Sequence, residues 1–353
     1  MIEIQLALEI IRILEQTPRN DAVYWSQDGE ESNVVEGKSG FVRAFVVIAA
    51  LFVATTGCSD SRRQAEEFCR SGMERLGEND LTEASLCFQK ALENQPRFAL
   101  PHVGLGEIAL RDANYEEAER QFGQALALDP RIVDALRGRG EARLGLRRYE
   151  EAIVDFDAAL AIDPRRTAAL NGRGYAYARI GKLDEALVDM NRCIEEKPTQ
   201  PDYYVSRALL RQKRQEYALG IEDMDKAIEL EEYNPMNYAI RGRVYEESGD
   251  WDSAVNDFNK ALEIDPRCFS ACKYRGLYFK SIGDWESALK DFSRAIEINP
   301  NDAEVYFERA GVLKQLGRQE EADADLAKVD EITPSLRSGD APLNSDSDAS
   351  PNE

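Results

Sequence analysis

Six arginines recur in this 353-residue chain at intervals of 34: Arg139, Arg173, Arg207, Arg241, Arg275 and Arg309. Each is followed 16 residues later by an aspartate: Asp155, Asp189, Asp223, Asp257, Asp291 and Asp325. A guanidinium and a carboxylate at a repeated spacing can form bidentate ion pairs, which hold a structure together and turn over no substrate. Groups suited to catalysis are scarce. His102 is the single histidine, which removes most imidazole acid–base schemes and most histidine metal sites. The six cysteines include no CxxC pair, and Cys268 and Cys272 (CxxxC) have no further ligands beside them. No Ser/His/Asp or paired-carboxylate arrangement stands apart from the repeated columns, so no enzyme, metal or cofactor is expected. The formal net charge of −22 repels phosphate backbones and no Lys/Arg-rich run offsets it, so nucleic acid is not an expected partner.

The 34-residue interval governs far more than the ion pairs. Prolines at 96, 130, 164, 198, 266, 300 and 334 lie on the same grid, and Glu232 fills the remaining slot. With each proline as place 32, eight units run without insertion: 65–98, 99–132, 133–166, 167–200, 201–234, 235–268, 269–302 and 303–336. Place 8 is glycine or alanine throughout, from Gly72 to Ala310, and place 20 likewise, from Ala84 to Ala322. Place 24 is a large apolar residue: Phe88, Phe122, Phe156, Met190, Met224, Phe258, Phe292 and Leu326. This pattern resembles the tetratricopeptide-repeat (TPR) family over 272 residues. The resemblance implies an all-α, right-handed superhelical solenoid of eight antiparallel helix pairs that holds other proteins and catalyses nothing.

In such a pair, helix A and helix B are joined by a turn near place 14. Places 8 and 20 are then expected to face each other and to be small so that the helices can approach closely. Place 24 supplies the apolar knob, worth about 1.5–3 kcal/mol when fully buried. Places 7 and 23 meet across the pair, giving six intra-repeat, partly buried Arg–Asp pairs. Repeats 1 and 2 lose both members together, with Ser71 and Cys87 in one and Leu105 and Gln121 in the other. The Gly-x-Gly runs at 104–106 and 138–140 resemble fragments of a dinucleotide loop, but they fall inside helix A and not after a strand. His102 occupies a packing slot at place 4. Cys69, at place 5, points away from place 23, so a disulfide to Cys87 is not expected.

TPR ligands mostly contact places 2, 5, 9, 12 and 13 of helix A. Those places hold eight basic and eight acidic residues here, a balance the strongly acidic chain does not show elsewhere. Repeats 4 to 6 gather Asn171, Tyr175, Arg179, Val205, Leu209, Lys213 and Arg243, an apolar floor with a cationic rim. Such a groove suits an extended peptide or a helix bearing carboxylates. The chaperone-binding TPR pattern needs Lys at place 5 with Asn at place 9, and Lys273 is followed by Leu277 instead.

Ahead of the repeats, 41–57 carries an apolar stretch of 11 residues, Ala44 to Ala54. A bilayer-spanning helix needs about 20, whereas a secretory signal needs about 7–15 behind basic residues, here Lys38 and Arg43. Cys58 follows Thr55-Thr56-Gly57 and resembles the lipidated cysteine of bacterial lipoproteins, with Thr55 where Leu is usual. The expected location is therefore the cell envelope, anchored through Cys58 or through the retained apolar run; a cytoplasmic TPR adaptor or co-chaperone-like module is the alternative. Five further cysteines cannot all pair, which speaks against an oxidising compartment. Residues 1–40 are an N-terminal extension or a mis-called start, 58–64 a linker, and 337–353 a polar, acidic tail expected to be disordered.

Overall fold

The computed structural model describes residues 60–333. The signal-like segment, Cys58 and the C-terminal tail lie outside the described residues. All the regular structure among the described residues is helical. The A helices are α1 (60–77), α3 (Ala99–Arg111), α5 (Val133–Gly145), α7 (Thr167–Arg179), α9 (Pro201–Lys213), α11 (Pro235–Ser248), α13 (Phe269–Ser281) and α15 (Ala303–Gln315). The B helices are α2 (Leu81–Asn94), α4 (Tyr115–Leu128), α6 (Tyr149–Ile162), α8 (Leu183–Glu196), α10 (Tyr217–Leu230), α12 (Trp251–Ile264), α14 (Trp285–Ile298) and α16 (Gln319–Ile332). They form two compact units that divide between Leu146 and Arg147. In the first, α1 packs on α2 and α3 on α4, with α5 against α4; in the second, α6 precedes five A–B pairs from α7/α8 to α15/α16.

The turns explain why each pair reverses so sharply. The residue at place 15 is left-handed in all eight repeats, and glycine supplies it at Gly181, Gly249, Gly283 and Gly317 (φ +74 to +88°). Asn79, Ala113, Arg147 and Gln215 take the same conformation with side chains (φ 53 to 63°). Helix B then starts on a side-chain cap in four repeats. Asp80, Asn114, Asp250 and Asp284 accept from the N–H groups of Glu83, Glu117, Ser253 and Ser287.

In five repeats the core is built on an aromatic ring at place 24. Phe88, Phe122, Phe156, Phe258 and Phe292 are fully buried. A methyl group on Gly106 would meet the Phe122 ring at 2.7 Å, and one on Gly138 would strike the same ring from the next A helix. Phe88 is held in the same way between Gly72 and Gly104. The Gly104–Gly106 run thus receives two successive rings, one per glycine. The expected contact between places 8 and 20 is seen in repeat 5, where a Cβ on Gly220 would lie 3.4 Å from the Ala208 carbonyl. In the phenylalanine repeats it is the ring at place 24 that lies nearest to place 8.

Candidate functional site

Five of the six Arg–Asp pairs lie within the second unit, and all five are bidentate. Arg173 donates to Asp189 through Nε (2.8 Å) and Nη2 (2.7 Å), Arg241 to Asp257 at 2.8 and 2.7 Å, and Arg275 to Asp291 at 2.7 and 2.8 Å. Arg309 holds Asp325 and Arg207 holds Asp223 likewise. Asp189, Asp223 and Asp291 are 1–2 % exposed, so these pairs sit at the helix interface and not on the surface. Arg139 and Asp155 fall on either side of the division between the units. Asp223 has a second cation, Arg211, at 2.6 Å.

The remaining nitrogen of each arginine makes a contact that the spacing of the Arg and Asp columns does not disclose. Nη1 of Arg173 reaches back to Asp157 (2.5 Å), of Arg207 to Asn191 (2.7 Å) and of Arg241 to Asp225 (2.6 Å). Arg275 reaches Asn259 (2.7 Å) and Arg309 reaches Ser293 (3.2 Å). These acceptors occupy place 25 of the preceding repeat, 16 residues before the arginine. Each guanidinium therefore ties three helices together, and it fixes where one A helix lies relative to the pair before it. The signal was present as a third column of hydrogen-bonding residues at place 25.

The A helices held in this way present the predicted groove residues. On α7, Asn171 is half-buried, Tyr175 is 47 % exposed and Arg179 is exposed, its guanidinium 6.0 Å from the Tyr175 ring and 5.7 Å from that of Tyr149. On α9, Val205 and Leu209 are half-buried and Lys213 is exposed. Arg243 on α11 is no rim cation. Its side chain is 23 % exposed, lies 5.0 Å from the Tyr274 ring, and approaches Glu247 at 3.9 Å. Gln212, buried, donates to Glu247 at 2.6 Å and so joins α9 to α11.

In repeat 7 both helix-A lysines are matched by acids. Lys273 is buried and holds Glu304 (2.7 Å) and Asp302 (3.4 Å); Lys280 holds Glu308. In the first unit, Arg137 bonds Glu141 (2.5 Å) and Glu107, and Arg111 bonds the Leu76 carbonyl and Asn79. Of the three predicted groove cations, Arg179 and Lys213 are exposed and Arg243 is not. Sequence reasoning missed the burial of Arg243 because the Tyr274 ring and the Gln212 amide that complete its surroundings come from neighbouring helices.

Glu246 stands beside this network. Burial pushes its carboxyl up to about 7; Arg243 opposes the rise and Glu247 adds to it. A carboxyl whose folded pKa lies above the ordinary 4.5 binds its proton more tightly in the folded state. Its contribution to stability is full at acid pH and is lost as pH climbs toward about 7. Glu246→Gln should therefore match the parent in urea midpoint near pH 4.5 and exceed it at pH 8. An equal difference at both pH values would mean that Glu246 does not titrate in this window.

Among the described residues no cluster of His, Cys, Asp or Glu could hold a metal ion, and no helix is long and apolar enough to cross a membrane. His102 donates through Nδ1 to Oε1 of Gln121 at 2.8 Å, which ties α3 to α4. The five cysteines described are free thiols; Cys69, Cys193, Cys268 and Cys272 are buried and Cys87 is half-buried.

Comparison with known proteins places the chain plainly. Family models described as tetratricopeptide repeat match residues 69–119, 103–166, 142–201, 235–268 and 303–336, and one described as TPR repeat matches 276–317. No curated protein matches the chain. Among solved structures it is similar to a tetratricopeptide repeat protein from Parabacteroides merdae: TM-score 0.58, 20 % identity, 71 % of this chain and 99 % of that one. It is also similar to PilW, described as a type IV pilus biogenesis factor (TM-score 0.55, 20 % identity, 59 % and 96 %). Pseudomonas aeruginosa pilF gives 0.53 with 21 % identity over 62 % and 98 %. At these identities the likeness is one of fold, an all-helical array of tandem antiparallel helix pairs.

Proposed function

Because this chain belongs to the tetratricopeptide-repeat family, we propose that it is a non-enzymatic scaffold which binds an acidic segment of another protein on the face of α7, α9 and α11. The observation that carries this reading is that Tyr175, Arg179 and Lys213 are exposed on successive A helices that also present half-buried Val205 and Leu209. An extended peptide or helix could lay apolar side chains on Val205 and Leu209 and place carboxylates near Arg179 and Lys213. Arg179→Glu with Lys213→Glu should weaken capture of the native partner at least ten-fold, as measured by pull-down from membranes followed by titration. Both side chains are exposed, so circular dichroism and the melting midpoint should stay near the parent values. Undiminished capture by the folded variant would place the ligand elsewhere.

We further propose that the scaffold is anchored in a bacterial envelope through Cys58. The sequence of 41–57 supports this, and the odd number of other cysteines weighs little against it. Burial pushes the Cys69 and Cys272 thiols up to about 11 and that of Cys193 to about 12, so these groups have little thiolate to oxidise in any compartment. Cys58→Ala should release the protein from membranes on fractionation and abolish labelling by a lipid precursor. A variant that stays membrane-bound would make the apolar run itself the anchor.

A further inference from the structure

Two clefts in the first unit coincide with the two repeats that lack the Arg–Asp pair. The cleft in repeat 1 measures about 370 Å³ and contains the side chains of both vacated places, Ser71 and Cys87. In repeats 5, 6 and 8 the corresponding arginine lies 5.6–5.7 Å from an aromatic ring at place 4, that of Tyr204, Tyr238 or Tyr306. Repeat 1 keeps that ring as Phe68, which lines the cleft and already carries a cation, the Lys90 ammonium, 5.7 Å from its centroid. What it lacks is the guanidinium and its carboxylate. Around the opening stand Glu74, Glu78 and Glu83; the one arginine at the rim, Arg75, is tied to Glu78 at 3.0 Å.

We propose that this cleft receives the arginine side chain of a partner protein. The guanidinium takes the place over Phe68 that an internal guanidinium fills in the later repeats, and Glu74 and Glu83 supply the negative charge in place of the missing aspartate. The ring favours a planar cation, and the fork of an arginine engages two carboxylates at once, so lysine is a poorer fit. This site is separate from the α7–α9–α11 face and does not depend on it. The second cleft, in repeat 2, is a natural control. Leu105 fills place 7 there, and Gln121 at place 23 is held by His102 and Glu117, each at 2.8 Å, with Arg120 at the rim.

The test is an amide-resolved NMR titration of the full chain with N-acetyl-argininamide, N-acetyl-lysinamide and a peptide whose one charged group is an arginine side chain. Saturable shifts are expected at Ser71, Glu83 and Cys87, with the lysine compound at least three-fold weaker and the peptide at least as tight as the free amide. Ser71→Arg with Cys87→Asp installs the internal pair; it should abolish these shifts while raising the thermal midpoint. Should that variant fold poorly, Glu74→Gln with Glu83→Gln should weaken binding at least five-fold in a folded protein. No saturable shifts, equal response to arginine and lysine, a free amide that binds where the peptide does not, or binding unaffected in the folded variant would each overturn the proposal.

Discussion

Arg275→Met should destabilise the second unit by about 3–5 kcal/mol, because it leaves the Asp291 carboxylate, 2 % exposed, beside a helix interface without its cation. Among the described residues no second arginine is bonded to Asp291. Arg207→Met should cost less, because Arg211 also holds Asp223 at 2.6 Å. Asp291→Leu added to Arg275→Met should recover most of the loss, as repeats 1 and 2 already pack without the pair. Urea unfolding of the single and double variants gives the coupling directly, and hydrogen exchange should locate the opening around α13 and α14. Additive effects of the two substitutions would reduce the ladder to a surface pattern.

Phe122→Ala should cost about 3–5 kcal/mol, toward the upper end, because the vacated space is walled by two glycines that have no side chains to relax into it. The glycines make the test specific. In the parent, Gly106→Ala drives a methyl group into the ring and should destabilise; in the Phe122→Ala background the same change fills part of the hole and should stabilise. That reversal of sign, read from the denaturation midpoints of the four proteins, checks the ring-between-glycines packing. A Gly106→Ala effect of the same sign in both backgrounds would show that close helix approach alone demands the glycine.

These tests also mark how far the sequence reaches. The tandem helix pairs and the pairing of places 7 and 23 in the second unit were legible because each repeat asks the same physical question at the same register. The role of Gly104 and Gly138 was harder to see, since the ring each one receives comes from the preceding repeat. The same holds for the place 25 acceptors. At the candidate site, the positions of Tyr175, Arg179 and Lys213 on the A helices followed from the register. The withdrawal of Arg243 into a network with Glu247 and Tyr274 did not, because whether a charge is spent depends on side-chain directions between helices. Residues whose chemistry is local to one helix pair were readable; those that act between pairs needed coordinates.

The three-helix bonds of the arginines have a mechanical corollary. Their backward acceptors run Asp157, Asn191, Asp225, Asn259 and Ser293, so the joints of the second unit alternate between carboxylate and amide and finish on a hydroxyl. Every donor is a guanidinium, so all five bonds are charge-assisted; the two carboxylate joints add the attraction of an opposite charge, and the final joint, between α14 and α15, is the longest at 3.2 Å. Tension applied at the C-terminal end should therefore open the α14–α15 joint before the α6–α7 joint, which Asp157 closes with an ion pair. Such a graded row of joints would open the second unit in discrete steps from its C-terminal end.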